Sequence, residues 1–245
     1  MRAACAILGA GLLLPAGMAQ AAGLPVDLAL VLLTDVSQSV DALRYTIQKE
    51  GYRTAFHDPD VIAAILDGGE RRIAVAYAEF SGDAQARLVV GWTVIDSAAH
   101  AAAFGDAVAA AGRPEPGNTS IAAGLDLATD LLLRCGCDPQ RRVVDVSGDG
   151  PNNTELSVTA ARDRALSLGV TINGLAIVKG PGTPAALAAE AFYKFPHPPY
   201  NGFDLADYYR RNVIGGPEAF LVEAHGIDSF GAALRRKLLV EIAGL

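Results

Sequence analysis

From about residue 24 onward, short apolar runs alternate with segments whose apolar positions recur every three or four residues. The runs VDLALVLLT, RIAVAYAEF, ARLVVGWTV, RRVVDVS, VTINGLAIV and AFLVEA predict strands at about 26–34, 72–80, 86–94, 141–147, 170–178 and 219–224. Helical periodicity falls between them, at about 39–56, 97–111, 119–134, 154–168, 184–192, 204–212 and 227–243. Two apolar stripes are clear: Ile121, Leu125, Ala128 and Leu132, then Phe230, Leu234, Leu238 and Ile242. This alternation predicts an α/β fold of three layers, a sheet with helices on both faces. One connection departs from it, because only Ser81-Gly82-Asp83-Ala84-Gln85 separates the second and third strands. So short a link makes a hairpin, not a crossover, so the six-stranded sheet should be mainly parallel with one antiparallel strand at an edge.

Composition narrows the class of partner. The 245 residues are 51% hydrophobic and carry a net charge of −7, with no basic run longer than Arg235-Arg236-Lys237. An acidic chain of this kind offers no surface for nucleic acid or an anionic membrane. The first residues have Arg2, an apolar stretch from Ala3 to Leu14 and the small-x-small triplet Ala19-Gln20-Ala21. That pattern predicts a secretory signal peptide over 1–21 and one domain over 22–245. Pro15 and Gln20 interrupt the apolar stretch, so a membrane anchor is disfavoured and no span is expected after cleavage.

Two cysteines remain beyond the leader, in Arg134-Cys135-Gly136-Cys137-Asp138. A bridge across one residue is strained and no histidine stands nearby to complete a zinc site, so they read as incidental thiols in a turn. The stretch 192–203, FYKFPHPPYNGF, cannot be a continuous helix; it suits a lid, or a recognition loop with aromatic anchors.

The first strand ends in Thr34-Asp35-Val36-Ser37-Gln38-Ser39 before a helix begins. Asp35, Ser37 and Ser39 stand at alternate positions and can point the same way. Alternatively, Ser39 is simply an N-cap. Two later segments place oxygen side chains at equivalent loop positions: Gly117-Asn118-Thr119-Ser120, which opens a helix, and Ser147-Gly148-Asp149-Gly150-Pro151-Asn152-Asn153, which follows a strand. In an open α/β sheet, ligands collect outside the carboxyl ends of the strands. The overlapping glycosylation sequons at Asn118 and Asn152 read as accidental.

Taken together, the DxSxS at Asp35, Ser37 and Ser39, the GxT at Gly117–Thr119 and the strand-end Asp149-Gly150 resemble the metal-ion-dependent adhesion site of von Willebrand factor type A (VWA) domains. The resemblance spans about 26–245, and VDVSGDGPNN with DYYRRNVIGGPEAF resembles an exported bacterial class of unassigned function. It implies a Rossmann-like sheet in the order 3-2-1-4-5-6 with a divalent cation at its upper edge, usually Mg²⁺, with Mn²⁺ or Ca²⁺ as alternatives. On the family pattern Ser37, Ser39 and Thr119 offer hydroxyls, while Asp35 and Asp149 act directly or through water. Asp145 competes with Asp149; the flanking Gly148 and Gly150 favour Asp149 as the loop residue. The resemblance further implies a protein partner that presents Glu or Asp, an exported location in the periplasm or outside the cell, and no bond chemistry. Metal-assisted hydrolysis is the rival, but His57, His100, His197 and His225 are all remote in sequence from the three loops. A purely structural assembly module is the third reading.

Overall fold

A computed structural model describes residues 23–178 and 204–244. Its six-stranded sheet has the order β3-β2-β1-β4-β5-β6, from β1 (Leu24–Asp35), β2 (Ile73–Phe80), β3 (Arg87–Ile95), β4 (Cys137–Gly148), β5 (Val170–Val178) and β6 (Leu221–His225). β3 runs antiparallel at one edge and the other pairings are parallel, as the short link after β2 requires.

Alternation along the strands sorts the core into two layers. Leu28, Leu30 and Leu32 of β1 pack with α1 (Ala42–His57), α2 (Pro59–Leu66), α3 (Ala98–Ala110) and the last helix, α7 (Phe230–Ala243). Ala29, Val31 and Leu33 face α4 (Ile121–Leu133), α5 (Val158–Ser167) and α6 (Leu205–Asn212). Burial on both faces explains why β1 has an uninterrupted apolar sequence. The helices therefore flank a sheet whose upper edge, at the carboxyl ends of the parallel strands, is left to loops.

Several boundaries differ from the sequence expectation, each for a local reason. Helix α1 begins at Ala42, because Asp41 and not Ser39 caps it, accepting a hydrogen bond from Arg44 N at 2.9 Å. A second helix, α2, follows where none was expected. Asp58 ends α1 and caps α2, accepting from Asp60 N at 3.0 Å and Val61 N at 3.2 Å, with Pro59 at the first helical position. Strand β4 reaches back to Cys137, paired with Leu24. Cys135 and Cys137 are joined in a disulfide, which corrects the reading of incidental thiols. Gly136 takes a φ of 69°, a left-handed conformation open to glycine, and so turns the chain within one residue. The leader expected over 1–21, the helix expected over 184–192 and the aromatic–proline stretch lie outside the described residues. Among those described, no helix is long and apolar enough to cross a membrane.

Candidate metal centre

Three loops meet where β1 and β4 end. The first leaves β1 at Asp35, whose Oδ1 accepts a hydrogen bond from Ser37 N at 2.8 Å. Val36 N donates to Phe80 O at 2.9 Å and Gln38 N to Gly117 O at 3.0 Å, so this loop is tied to β2 and to the second loop. With capping left to Asp41, Ser39 is released from the helix and its hydroxyl turns to the centre.

The second loop runs into α4, which Ser120 caps through Ala123 N at 3.3 Å. Thr119 is fixed from the third loop: its N–H donates to Asn153 Oδ1 at 2.6 Å, and Asn153 N donates back to Thr119 O at 2.9 Å. Asn152 adds a further tie, accepting from Ala122 N at 3.2 Å and donating to Leu156 O at 3.0 Å. These two asparagines appear in the sequence as part of the third loop and of a sequon, with no sign of which partners they hold. Their role depends on which loop they meet, and spacing does not carry that information.

The side chains named from the sequence come together as one row of contacts. Thr119 Oγ1 donates to Ser37 Oγ at 3.0 Å, Ser37 Oγ lies 3.2 Å from Ser39 Oγ, and Ser39 Oγ donates to Asp149 Oδ1. Ser37, Thr119 and Asp149 are buried or nearly so, while Ser39 is exposed, so the row opens to solvent at one end. Arg44, a residue with no place in the motif, reaches in from the first turn of α1. Its Nη1 donates to Ser39 O at 3.0 Å and to Asp149 Oδ2 at 3.3 Å.

Asp35 lies beneath this row, fully buried, and its Oδ2 has no hydrogen-bond partner. Burial, and after it the charge of Asp149, raises its pKa from 3.8 to about 7, against the hydrogen bonds from Ser37 and from the backbone of Asp149. The Tyr209 hydroxyl is also buried without a partner, and burial followed by the charge of Asp35 pushes it well up. Gly148 separates the two: a Cβ there would lie 2.5 Å from the Tyr209 hydroxyl and 3.2 Å from Asp35 Oδ2. No larger residue fits without moving them.

Asp145 is elsewhere. It points to the opposite face of the sheet, where Lys237 Nζ of α7 stands 2.8 Å from its Oδ1. His57 and His100 make exposed pairs with Asp106 and Asp96, and His225 is exposed at the end of β6. His197 is outside the described residues. A cavity of about 360 Å³ opens at the other edge of the sheet, beside Arg142, Thr171, Phe220 and Glu241, and none of its lining belongs to the three loops.

Among the described residues, no group of three or more His, Cys, Asp or Glu side chains could hold a metal. The set gathered here is of another kind, three hydroxyls and two carboxylates. All are hard oxygen donors, which suit Mg²⁺, Mn²⁺ or Ca²⁺ better than softer metals. The Asp35 oxygen without a hydrogen-bond partner is compatible with a cation or a water; both Asp145 oxygens also lack a hydrogen bond, and there Lys237 supplies the opposite charge.

A family model described as "Protein of unknown function (DUF1194)" matches residues 25–245. No curated protein matches the sequence. Among solved structures, the chain is similar to proximal thread matrix protein 1 from the mussel byssus, in a form with a zinc-occupied MIDAS motif. The identity is 18% and the TM-score 0.56, over 89% of this chain and 46% of that one. It therefore spans just under half the length of the mussel protein. BatB from Bacteroides thetaiotaomicron is similar at 16% identity and a TM-score of 0.53, over 89% of this chain and all (100%) of that one. A von Willebrand factor type A structure from Catenulispora acidiphila is similar at 15% identity and a TM-score of 0.54, over 89% and 43%. At such identities the likeness is one of fold, and that fold is the VWA type.

Proposed function

The chain belongs to this DUF1194 family, and from that premise we propose that it is an exported VWA-type binding module whose upper edge holds a divalent cation, Mg²⁺ in the first instance, and through it an acidic residue of a protein partner. Ser37, Ser39 and Thr119 would hold the cation through their hydroxyls, with Asp35 and Asp149 directly or through water. The cation, when bound, supplies positive charge and a coordination position that a Glu or Asp side chain can fill.

What supports this reading above all is the row of oxygen contacts from Thr119 through Ser37 and Ser39 to Asp149, above a buried Asp35 oxygen with no partner. The chain's own residues do the rest. Asn153 holds Thr119 at a fixed height, Asp41 leaves Ser39 free of helix capping, and the exposed end at Ser39 admits a ligand. Arg44 partly neutralises Asp149 and adds a donor at the rim that favours an anionic ligand. Hydrolysis needs a positioned base, and the three described histidines are engaged or exposed elsewhere. A binding role without bond chemistry fits these placements better.

Calorimetric titration with Mg²⁺, Mn²⁺ and Ca²⁺ tests the proposal, with the wild type beside Asp35→Asn and the double variant Ser37→Ala, Ser39→Ala. Saturable binding is expected in the wild type and a loss of at least about 100-fold in each variant, both still folded by near-ultraviolet circular dichroism. Equal affinity in the three proteins, or none in the folded wild type, overturns it. Acetate, as a minimal carboxylate, should bind only in the presence of the cation.

A further inference from the structure

The disulfide between Cys135 and Cys137 stands apart from the metal centre, at the opposite end of β4, and the reading above gives it no task. It closes a loop of three residues, so it removes little freedom from the unfolded chain and contributes little as a staple. Nor does it tie together elements that would otherwise separate. Helix α4 is held by the packing of Leu125, Ala128 and Leu132, and β4 by its ladder with β1, where Leu24, Pro25 and Val26 face Cys137, Asp138 and Pro139.

The turn is open to the outside. Arg134, Gly136 and Asp138 are exposed and both cysteines are only partly buried. Nothing lies within 4 Å of the position where a Cβ on Gly136 would be. One further contact distinguishes the two sulfurs: Cys137 N donates a hydrogen bond to Cys135 Sγ at 3.1 Å, nearer than the Cys137 carbonyl oxygen at 3.5 Å. A backbone N–H aimed at a sulfur stabilises negative charge there, so Cys135 is the better leaving thiolate.

We propose that Cys135 and Cys137 form a thiol–disulfide exchange site that oxidises an accessible dithiol. A thiolate of the substrate attacks Cys137 Sγ; the Cys135–Cys137 bond breaks, and Cys135 leaves as a thiolate held by the Cys137 N–H. The second substrate thiol loses its proton to solvent and attacks the substrate sulfur of the mixed disulfide, expelling Cys137 as a thiolate. The substrate is left as a disulfide and the protein as two thiols, with two electrons passed to the protein and the protons exchanged with water.

The test uses the full chain with Cys5→Ser, so that the pair supplies its only cysteines, oxidised before use and mixed at pH 7 with a reduced peptide carrying two cysteines. The peptide should become oxidised at least about tenfold faster than by oxidised glutathione at the same concentration. Dithiothreitol in a parallel arm should react as fast if small dithiols suffice, and more slowly than the peptide if the turn prefers polypeptide. In the reduced protein, iodoacetamide should label Cys135 at a lower pH than Cys137, and the thermal midpoint should fall by less than about 2 °C on reduction. The Cys135→Ser variant should trap glutathione on Cys137. A rate no faster than glutathione disulfide, equal alkylation of the two thiols, or a large fall in the midpoint on reduction would each overturn the proposal. None of these readings depends on a cation.

Discussion

Asp35 and Asp145 lie on adjacent parallel strands, β1 and β4, both completely buried and both with a pKa raised from 3.8 to about 7 by burial. Their surroundings differ in kind. Asp145 faces Lys237 at 2.8 Å, and Lys237 also meets Glu241 at 3.1 Å, whose other oxygen accepts from Asn173 at 2.8 Å. The protein supplies this carboxylate with its own cation, so the group links α7 to β4 and β5. Asp35 has hydroxyls above it, a second carboxylate in Asp149 and one oxygen with no partner. Similar burial therefore accompanies an internal ion pair in one place and, in the other, a carboxyl that faces a second carboxylate and no lysine.

The largest effect should come from removing the internal cation. Lys237→Met leaves Asp145 and Glu241 buried together without a cation, with only the Asn173 amide still on Glu241, and should cost about 3–5 kcal/mol in chemical denaturation. Cation affinity at the upper edge should stay the same, because the two carboxylates lie on opposite sides of the sheet. If Lys237→Met abolished cation binding while the protein stayed folded, the two regions would not be independent.

Next in size is a pH effect carried by Asp145, which faces Lys237 and Glu241 of α7 and feels the Tyr52 hydroxyl of α1. Its pKa is higher folded than unfolded, so between about pH 4 and 7 the folded state binds the extra proton. Stability from this group is complete below the unfolded pKa and falls as pH rises, by at most about 1.4 kcal/mol per pH unit. Asp145→Asn should flatten that slope in denaturation series run with chelator, and an unchanged slope would reject the assignment.

A smaller loss is expected at Asn153, whose side-chain Oδ1 accepts from Thr119 N while its backbone N–H, which alanine keeps, donates to Thr119 O. Asn153→Ala should lower stability by about 1–2 kcal/mol and weaken Mg²⁺ binding about tenfold, as a residue that orients a ligand does. Full Mg²⁺ affinity in that variant would mean that Thr119 is placed without it.

Much of the architecture was legible because strand and helix periods are local properties. The unbroken run of β1, the short link before β3 and the stripe Phe230, Leu234, Leu238 required no knowledge of neighbours. The DxSxS triad was legible for the same reason, since alternate positions in a loop share a side. Helix α2 was not, because Asp58 acts as cap for two helices and is also held by Arg235 Nε at 2.6 Å from α7. Lys237 and Glu241, four residues apart, resemble an ordinary exposed ion pair on a helix; only the approach of β4 makes them a buried one.

The sequence by itself determined the alternation of strands and helices apart from α2, the mixed sheet and which loops carry the oxygen side chains, because each follows from side-chain period and from loops short enough to leave few paths. Tertiary structure alone decided that Arg44 reaches Asp149, that Asn153 holds Thr119, and that one buried aspartate has a lysine while the other does not. Those outcomes depend on which loops and helix faces meet across the sheet. Contact between residues far apart in the chain is set by the packing of whole layers, and no local pattern records it.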